Sequence, residues 1–597
     1  MAEQPKTIKD VSPVTSNSRL MMVLIAICVA FVCLAVYSFF IHISHRTELS
    51  RFGENRLIRS IREPALRGMI TDRDGTVLAV SRHLRVPTFN PQAIYEPKRK
   101  GDPVNWQTIS DEQFRKMSEI LQIPENELRA KFQDTSVKYL NLKKELSLSE
   151  ADALKALKIP SLRFEERSER SYPTGNLFSH IVGFANSKGV GLEGLERTEN
   201  ERLKGEDGKQ IVIRDRHGNI VEMLDSPENT PARSGNTLVL SVSQEIQRLA
   251  RDELGKALKQ FNAKAGGVVV LDAKTGEILA MTSMPDYDAN FYTQFPEDSF
   301  RNYAVGVTME PGSVMKPFIV AKAIDDGKIG RHTQFDTRPF AIGRKLIRDT
   351  HEYPSLTSEG ILQKSSNVGT SHIAAMYPSQ TLYDYFSAIG FGKKTNSGVS
   401  GEQNSPLKPA NRWGQLDKAV MSYGYALTAN MLQMAQAYTI FTNDGKLLPA
   451  TIYKRDSAPE GTPVIRPATA KVMRDMMISV TRPGGSGING AVPGYDVAGK
   501  TGTAKKVGAN SGGYEDRYRA SFVGFAPAQN PRLIVAVTID DPRGRGYYGG
   551  TVAGPVFRNV MAGGLRALGV KPTRMEEAET PTVVEQSEAA AEEPSEP

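Results

Sequence analysis

The chain has 597 residues, 40% of them hydrophobic and 24% charged, which is ordinary globular composition. This length excludes a single hydrophobic core, so we expect two or more domains. The net charge is +8, but eight Glu and only two basic residues lie in the last 27 residues, so the remainder is near +14. A basic surface suits nucleic acid, anionic lipid or an acidic polymer; without a clustered basic run or a nucleic-acid motif, we rank nucleic acid last.

The first predicted element is a membrane span. The run LMMVLIAICVAFVCLAVYSFFI holds both cysteines and no charge, so a disulfide elsewhere in the chain is excluded. Its 22 residues cover roughly 33 Å as a helix, enough for a ~30 Å hydrocarbon core. We predict an anchor over residues 19–43 after a cytoplasmic tail of residues 1–18, since a cleavable signal has a shorter apolar region and a small-residue exit. Basic residues are more numerous after the span than before it, so a positive-inside count would place the large domain in the cytoplasm. We set this count aside, because long domains translocate largely regardless of charge.

Residues 44–235 are predicted to form a mixed α/β domain. The stretch RGMITDRDGTVLAVS, Arg67 to Ser81, indicates two short strands around a turn at Asp74-Gly75. Helical patterns follow near Asp111 to Leu121 and Ser149 to Leu157, and turn-rich segments with several glycines come after them.

Residues 236–570 are predicted to form a second domain of α/β class. A strand leads into the amphipathic helix of SQEIQRLARDELGKALKQF, and GGVVVLD and EILAMTS form a hairpin. Helices dominate to about Phe441, after which VAGKTGTAKKV, RASFVGFAPA and RLIVAVTIDD indicate strands and Gly554 to Leu568 a helix. Strands at both ends imply one sheet that gathers them from both termini of the domain. The acidic tail, residues 571–597, has almost no large apolar side chain and is predicted to be disordered.

A serine and a lysine stand three residues apart in MEPGSVMKPF, on the first turn of a predicted helix. Ser313 and Lys316 share one helix face, so the amine can reach the hydroxyl. Roughly two such pairs are expected by chance in a chain this long, so the pair alone is weak.

Two further motifs make the pair informative. QKSSNVGT supplies Ser365 and Asn367, and VAGKTGTA supplies Lys500, Thr501, Gly502 and Thr503. The order S-x-x-K, S-x-N, K-T-G is typical of penicillin-binding proteins and class A β-lactamases. An earlier K-T-G at residues 274–276 precedes the serine and lies at a predicted hairpin turn, so we interpret it as turn chemistry.

The chain resembles the class B penicillin-binding proteins, and within them the septal peptidoglycan transpeptidases, over roughly residues 60–570. The similar segments include RGMITDRDGTVLA, VGLEGLE, GGVVVLDAKTGEILAMTSMPDYD and GTVAGPVFRNVM, and Glu310 before Pro-Gly-Ser fits the septal members. The family often has Thr-Pro-Leu-Gln where this chain has residues 429–433, a change on a supporting helix. The resemblance implies a central antiparallel sheet flanked by helices, as in β-lactamases, on an α/β pedestal with one transmembrane helix.

The resemblance also implies a role for each motif residue. Ser313 would attack the penultimate D-Ala carbonyl of a stem peptide, Ser365 would relay a proton, and Asn367 would hydrogen-bond Lys316 and the substrate amide. Thr501 and Thr503, beside Gly502 and Lys500, would bind the terminal carboxylate. The backbone N–H groups of Ser313 and Thr503 would form the oxyanion hole.

Elementary electrostatics supports Lys316 as the base. A lysine accepts a proton only when neutral, and its usual pKa is about 10.4. A second cation about 4 Å away at an effective dielectric near 20 costs about 4 kcal/mol, on the order of 3 pKa units, even before burial is counted. We expect Lys500 to be that cation.

The resemblance also implies the cellular setting. The chain would lie in the inner membrane with its catalytic domain in the periplasm, act on stem peptides of a lipid-linked precursor, bind β-lactams, and meet a membrane glycan polymerase and other division proteins. No cofactor is implied, and the eight histidines show no metal-ligand spacing. Tyrosines at 514–518 and 547–548 line the cleft in the family, with plain packing as the alternative.

Rival interpretations differ in what they require. A β-lactamase needs a deacylating carboxylate, and residues 368–499 hold no E-x-x-L-N stretch. A bifunctional synthase needs a glycosyltransferase domain, for which residues 62–235 show no motif. An elongation-type transpeptidase, a D,D-carboxypeptidase using the same residues, and a non-catalytic division scaffold stay open as alternatives.

Overall fold

The computed structural model describes residues 17–44, 58–91, 109–134, 136–137, 139–142, 146–214, 220–508, 513–544 and 546–574. Nearly all of the predicted cytoplasmic tail and of the predicted disordered acidic tail lies outside these residues, so both stay predictions.

Nine helices of the described residues have Ser, Thr, Asn or Pro at the N-cap, residue types that favour a helix start. They are α1 (Asn17–Ser44), α2 (Asp111–Leu121), α3 (Glu125–Gln133), α4 (Leu148–Ala156), α5 (Ser179–Val182), α6 (Gly194–Thr198), α7 (Asn200–Leu203), α8 (Gln244–Gln260), α9 (Tyr303–Gly306), α10 (Lys316–Asp325), α11 (Ser358–Lys364), α12 (Asn367–Ala375), α13 (Ser379–Ala388), α14 (Gln415–Ser422), α15 (Met431–Ala437), α16 (Thr439–Thr442), α17 (Pro467–Ile478), α18 (Gly549–Val552) and α19 (Gly554–Ala567). Short 3-10 helices occupy Ala289–Gln294, Glu297–Phe300, Gly312–Met315, Ala410–Arg412, Ser479–Thr481 and Ile488–Gly490.

The strands are rich in β-branched residues, and several are bounded by Gly, Asp or Asn turns. They are β1 (Ile58–Glu63), β2 (Ile70–Thr71), β3 (Val77–Phe89), β4 (Leu140–Asn141), β5 (Arg163–Ser171), β6 (Gly208–Arg214), β7 (Ile220–Met223), β8 (Leu238–Val239), β9 (Ala265–Asp272), β10 (Ile278–Met284), β11 (Gln334–Asp336), β12 (Phe340–Ile342), β13 (Lys345–Ile347), β14 (Ser355–Thr357), β15 (Lys446–Leu447), β16 (Thr462–Pro463), β17 (Ala498–Val507), β18 (Tyr514–Ala526) and β19 (Leu533–Asp540).

The chain divides into two compact units, one formed by Met1–Ala65 and Glu206–Arg233 and the other by Leu66–Gly205 and Ser234–Pro597. The first unit contains α1 and a three-stranded sheet of order β1-β6-β7. Helix α1 is long and apolar enough to cross a membrane, and most of its large apolar side chains are exposed. Its bounds, Asn17–Ser44, extend two residues before and one residue after the predicted span of residues 19–43.

The central element of the second unit is an antiparallel sheet of order β10-β9-β19-β18-β17. Its strands come from both ends of the predicted domain, as the sequence indicated, with β9 and β10 before the helices and β17, β18 and β19 after them. β17 is an edge strand, so one of its sides is free for other contacts.

Two hydrophobic cores cover the two faces of this sheet. Because successive side chains of a strand point to opposite faces, Val268 and Val270 of β9 pack into a core with α8 and α19. Val269 and Leu271 point the other way, into a larger core with α10 and α15. Burial on both faces explains why these strands read as continuous apolar runs rather than alternating ones.

The part of the second unit before residue 206 has its own features. β3 pairs with β5 and is longer than the short strand predicted there, while β2 pairs with β3 around the turn predicted at Asp74-Gly75. Helices α2, α3 and α4 enclose a small core that includes Phe89, Leu128 and Phe132.

Candidate active site

The S-x-x-K pair lies where the 3-10 helix Gly312–Met315 runs directly into α10. Ser313 is half-buried and Lys316 is fully buried. Gly312 adopts φ +62°, a left-handed conformation that favours glycine, and its N–H donates to the Gly424 carbonyl at 3.0 Å. A Cβ atom on Gly424 would approach the Gly312 carbonyl oxygen to 2.0 Å, so both positions require glycine.

Backbone pairing holds the segment before the serine. Met309 and Ala429 exchange two hydrogen bonds of 2.9 Å. On the other side, Gly502 of β17 packs so closely that an added Cβ would lie 3.1 Å from the Pro311 oxygen. Ser313 is thereby placed beside the K-T-G strand, although almost 190 residues separate them in sequence.

The Lys316 amine donates three hydrogen bonds. They reach the Ser365 carbonyl oxygen at 2.5 Å, the Asn367 Oδ1 at 2.8 Å and the Ser365 hydroxyl at 3.1 Å. The first two motifs therefore meet at one buried nitrogen.

Ser365 links this lysine to the third motif. Its hydroxyl oxygen also accepts a hydrogen bond of 2.9 Å from Lys500, whose amine donates further to the Thr501 carbonyl at 3.1 Å. Ser365 ends α11 in the left-handed region at φ +65°, which is unusual for a residue other than glycine. Strained backbone of this kind is common at functional sites, because the surrounding structure must hold it in place.

Burial controls the charge of the two lysines. It lowers the pKa of Lys316 to about 7, and the negative charge of Asp349 opposes this shift. Burial also lowers the pKa of Lys500 well below its usual range, and the neighbouring Lys316 lowers it further. The lowered pKa expected for Lys316 is present, with burial as its cause, whereas the repulsion between the two lysines lowers the pKa of Lys500.

The remaining K-T-G residues are fixed by neighbouring loops. The hydroxyls of Thr501 and Ser486 lie 3.0 Å apart, and the Thr503 hydroxyl accepts a 3.0 Å hydrogen bond from the Gly549 N–H. Both threonines therefore have defined side-chain positions on the edge strand.

The predicted contact between Ser313 and Lys316 is not among the hydrogen bonds of the described residues. The amine is directed instead to Ser365 and Asn367. Catalytic hydrogen bonds are often long in ligand-free enzymes and shorten only when substrate binds.

The tyrosines expected at the cleft form two groups. Tyr518 stacks on Tyr547 with ring centroids 4.1 Å apart, and Tyr547 stacks on Tyr548 at 4.6 Å. Tyr514 donates a 3.1 Å hydrogen bond to Glu310. The earlier K-T-G lies in the β9–β10 turn, with Gly276 at φ +71°, as predicted.

Sequence reasoning missed Asp349. Its buried carboxylate accepts hydrogen bonds from the Ser366 hydroxyl and the Asn367 N–H, both at 2.5 Å, and from the Val368 N–H at 3.0 Å. It acts as a second cap of α12, in addition to the N-cap Ser366, and thereby positions Asn367. A capping residue normally directly precedes its helix, and this one lies 18 residues earlier, so no local signal could have identified it.

Sequence reasoning also missed Ser486, which lies in the glycine-rich loop RPGGSG and bonds Thr501. The glycines predict a turn but not its partner. Gly550 packs against this loop, since an added Cβ would lie 2.3 Å from the Ser486 carbonyl oxygen.

Comparison with known proteins gives two family matches. The family described as the penicillin binding protein transpeptidase domain matches residues 266–562, and the one described as the penicillin-binding protein dimerisation domain matches residues 62–240.

Individual relatives cover most of the chain. A protein named "Probable peptidoglycan D,D-transpeptidase PenA" from Neisseria gonorrhoeae is 44% identical over 570 residues, 96% of each chain. "Peptidoglycan D,D-transpeptidase FtsI" of Escherichia coli K12 is 35% identical over 525 residues, 88% of this chain and 87% of its own. "Probable peptidoglycan D,D-transpeptidase PbpC" of Pseudomonas aeruginosa is 33% identical over 566 residues, 94% of this chain and 97% of its own.

Proposed function

The chain belongs to the class B penicillin-binding proteins and is a peptidoglycan D,D-transpeptidase, and from this premise we propose how its residues act and where. Ser313 is the nucleophile, Lys316 its base, and the enzyme cross-links septal cell wall from the periplasmic side of the inner membrane. The observation that carries the mechanism is the buried Lys316 amine, bonded to Ser365 and Asn367, with Ser365 bridging to Lys500.

Acylation begins with the serine. A hydroxyl is a weak nucleophile at its own pKa and needs a base. Neutral Lys316 takes the proton of Ser313 as its oxygen attacks the penultimate D-Ala carbonyl. The bond to the terminal D-Ala breaks, and that D-Ala leaves as an amine after receiving a proton through the Ser365 hydroxyl, which lies within 3.1 Å of both lysine nitrogens.

Charge stabilisation comes from the edge strand. The N–H groups of Ser313 and Thr503 receive the oxyanion, and loss of one such donor typically costs about 2.7 to 4 kcal/mol. Thr501 and Thr503 bind the substrate carboxylate, with Gly502 allowing close approach to Pro311. An amine of a second stem peptide then attacks the acyl-enzyme and regenerates Ser313, so the reaction is ping-pong.

Purified full-length enzyme, supplied with glycan polymer made from lipid-linked precursor, tests the activity. We expect cross-linked peptide dimers with release of D-Ala, both abolished by penicillin. Trimmed monomers without dimers would identify a carboxypeptidase instead, and no D-Ala release would contradict catalysis and favour a scaffold.

Growth tests the septal assignment. Depletion of the protein in growing cells is expected to give long filaments, because cells that cannot cross-link septal cell wall elongate without dividing. Incorporation of a fluorescent D-amino acid is expected to be missing at midcell. Rounded cells with intact septa would favour the elongation-type alternative. Partner proteins, including a membrane glycan polymerase, belong to the same proposal.

The acylation rate is expected to follow the protonation of Lys316. Below its pKa of about 7 the amine carries a proton and cannot act as base, so the second-order rate constant for penicillin acylation falls about tenfold per pH unit. Above that pH the amine is neutral and the rate levels off. Stopped-flow acylation between pH 5 and 9 measures this profile.

Two variants sharpen the pH test. Lys316→Arg carries a guanidinium that does not lose its proton, so acylation is expected to be slow at every pH. Lys322 lies on the same helix and pairs with Asp326 at 2.9 Å. Lys322→Arg keeps this charge away from the reacting atoms and is expected to keep the wild-type pH profile. A flat wild-type profile would contradict Lys316 as base.

A further inference from the structure

The hairpin of β12 and β13 is seated on α12, and the mechanism above does not use it. Ile347 is buried and packs with Val368 and Tyr423. Phe340 stacks on His372 of α12, with ring centroids 4.5 Å apart. The hairpin therefore has a fixed place on the helix that carries the second motif.

The chain directly after this hairpin contacts the catalytic groups. The Asn367 side chain donates from its Nδ2 to the Arg348 carbonyl oxygen at 3.1 Å, while its Oδ1 accepts from Lys316. Asp349, the next residue, caps α12. The hydrogen-bond chain that begins at the edge strand β17 therefore ends at the hairpin.

The tip of the hairpin carries two cations. Ile342 pairs with Lys345, and the two residues between them form a tight turn. Gly343 has φ +61°, the conformation that the first central position of such a turn requires. Arg344 and Lys345 are exposed, and no ion pair of either occurs among the described residues. The turn needs neither charge, so both cations are available to a ligand.

The tip lies within reach of the reacting atoms. Lys345 is four residues before Asp349, so at most about 14 Å separate their Cα atoms. Asp349 accepts from the Asn367 N–H at 2.5 Å, and Asn367 in turn accepts from Lys316 at 2.8 Å. A short peptide at the Lys316 amine can therefore extend to the two cations.

The chemistry of cross-linking supplies an anion for this surface. In the proposed function, the donor stem places its terminal carboxylate on the K-T-G strand, at the other end of the hydrogen-bond chain. The acceptor stem is a copy of the same peptide, so it also ends in a carboxylate, and a glycan polymer carries such a group on every stem. Exposed cations attract a polyanion of this kind and bond its carboxylates directly.

We propose that Arg344 and Lys345, the hairpin cations, bind carboxylate groups of the acceptor stem and hold its amine for attack on the acyl-enzyme. This inference rests on the proposed function and adds an acceptor-binding surface to it. Donor binding and acylation do not involve the hairpin cations, so the surface acts only in the second half-reaction.

The fate of the acyl-enzyme tests the surface. A fluorescent D-alanyl thioester serves as donor, and its thiol release measures acylation of the full-length enzyme. Glycan polymer made from lipid-linked precursor and trimmed of its terminal D-Ala serves only as acceptor, and its stems still end in carboxylates. We expect Arg344→Gln/Lys345→Gln to lower transfer of the label to the polymer about tenfold, in the range for losing charge-assisted hydrogen bonds. Thiol release without polymer is expected to stay unchanged.

Salt and two matched variants separate charge from structure. Transfer by the wild-type enzyme is expected to fall as salt is raised to about 0.5 M, because exposed charges are screened, and transfer by the double variant is expected to change little. Arg344→Lys/Lys345→Arg keeps both charges and is expected to retain most of the transfer. Lys393→Gln/Lys394→Gln removes two adjacent exposed cations elsewhere in the same domain and is expected to keep the wild-type transfer.

The outcomes separate the alternatives. An equal loss of thiol release and transfer in Arg344→Gln/Lys345→Gln would mean that the hairpin only positions Asn367 through Asp349, and would overturn the proposal. Unchanged transfer, or the same loss in the Lys393→Gln/Lys394→Gln control, would overturn it too. No thiol release by the wild-type enzyme would contradict the proposed function itself, and the acceptor-binding surface with it.

Discussion

Ser313→Ala is expected to abolish covalent labelling by a fluorescent penicillin while the protein stays folded. The acyl-enzyme bond forms only to the hydroxyl oxygen that this change removes, so the expected loss is complete rather than partial. No hydrogen bond of the Ser313 side chain occurs among the described residues. Ser313 also lies inside the 3-10 helix Gly312–Met315 and is not its cap, and alanine is favourable inside a helix. Substitutions that remove no helix cap, hydrogen bond or ion pair usually change the unfolding free energy by less than about 0.5 kcal/mol.

Gel fluorescence and the mass of the labelled peptide measure this result. Ser457→Ala is the matched control, since Ser457 is exposed in a loop of the same domain and is expected to be labelled like wild type. Equal melting temperatures of the three proteins would establish that the loss is chemical. Retained labelling of Ser313→Ala would assign the nucleophile to another residue.

The central sheet could be predicted because its strands carry a strong local signal. GGVVVLD and RLIVAVTIDD are continuous apolar, β-branched runs, and their neighbours along the chain are turns. Their pairing, β9 with β19, joins residues about 265 apart, and only the rule that one sheet collects the strands of a domain indicated it. The length of β3 was underestimated because its polar second half pairs with β5, a tertiary contact with no local signature.

The site shows the same limit. Lys316 and Lys500 could be identified from their motifs, but their burial follows from the packing of several elements and is not visible in either motif. For that reason, the effect of desolvation on the Lys316 pKa could not be predicted from the motifs. Asp349 was missed entirely, since a distant cap leaves no mark on the sequence around its helix.

A buried ion cluster explains two other segments that resembled the family. Glu196, in VGLEGLE, is fully buried and pairs with Arg67, in RGMITDRDG, at 2.5 Å and with Arg170 at 2.7 Å. Arg67 also donates to the Gly189 carbonyl at 3.0 Å and to Asn200 at 2.9 Å. One carboxylate thus serves two guanidinium groups and ties β5, α6 and the segment before β2 together.

Glu196→Gln is expected to lower the unfolding free energy by about 3–5 kcal/mol, because it leaves two buried cations without a counter-charge. The amide keeps the size of the side chain, so the loss reports charge rather than a cavity. Glu193→Gln is the matched control three residues earlier: Glu193 pairs with Arg197 at 3.5 Å in an exposed i,i+4 contact, for which less than about 0.5 kcal/mol is expected. Urea unfolding followed by circular dichroism measures both. Equal stability of the two variants would mean that the arginines find other partners, and that the cluster does not hold this part of the chain together.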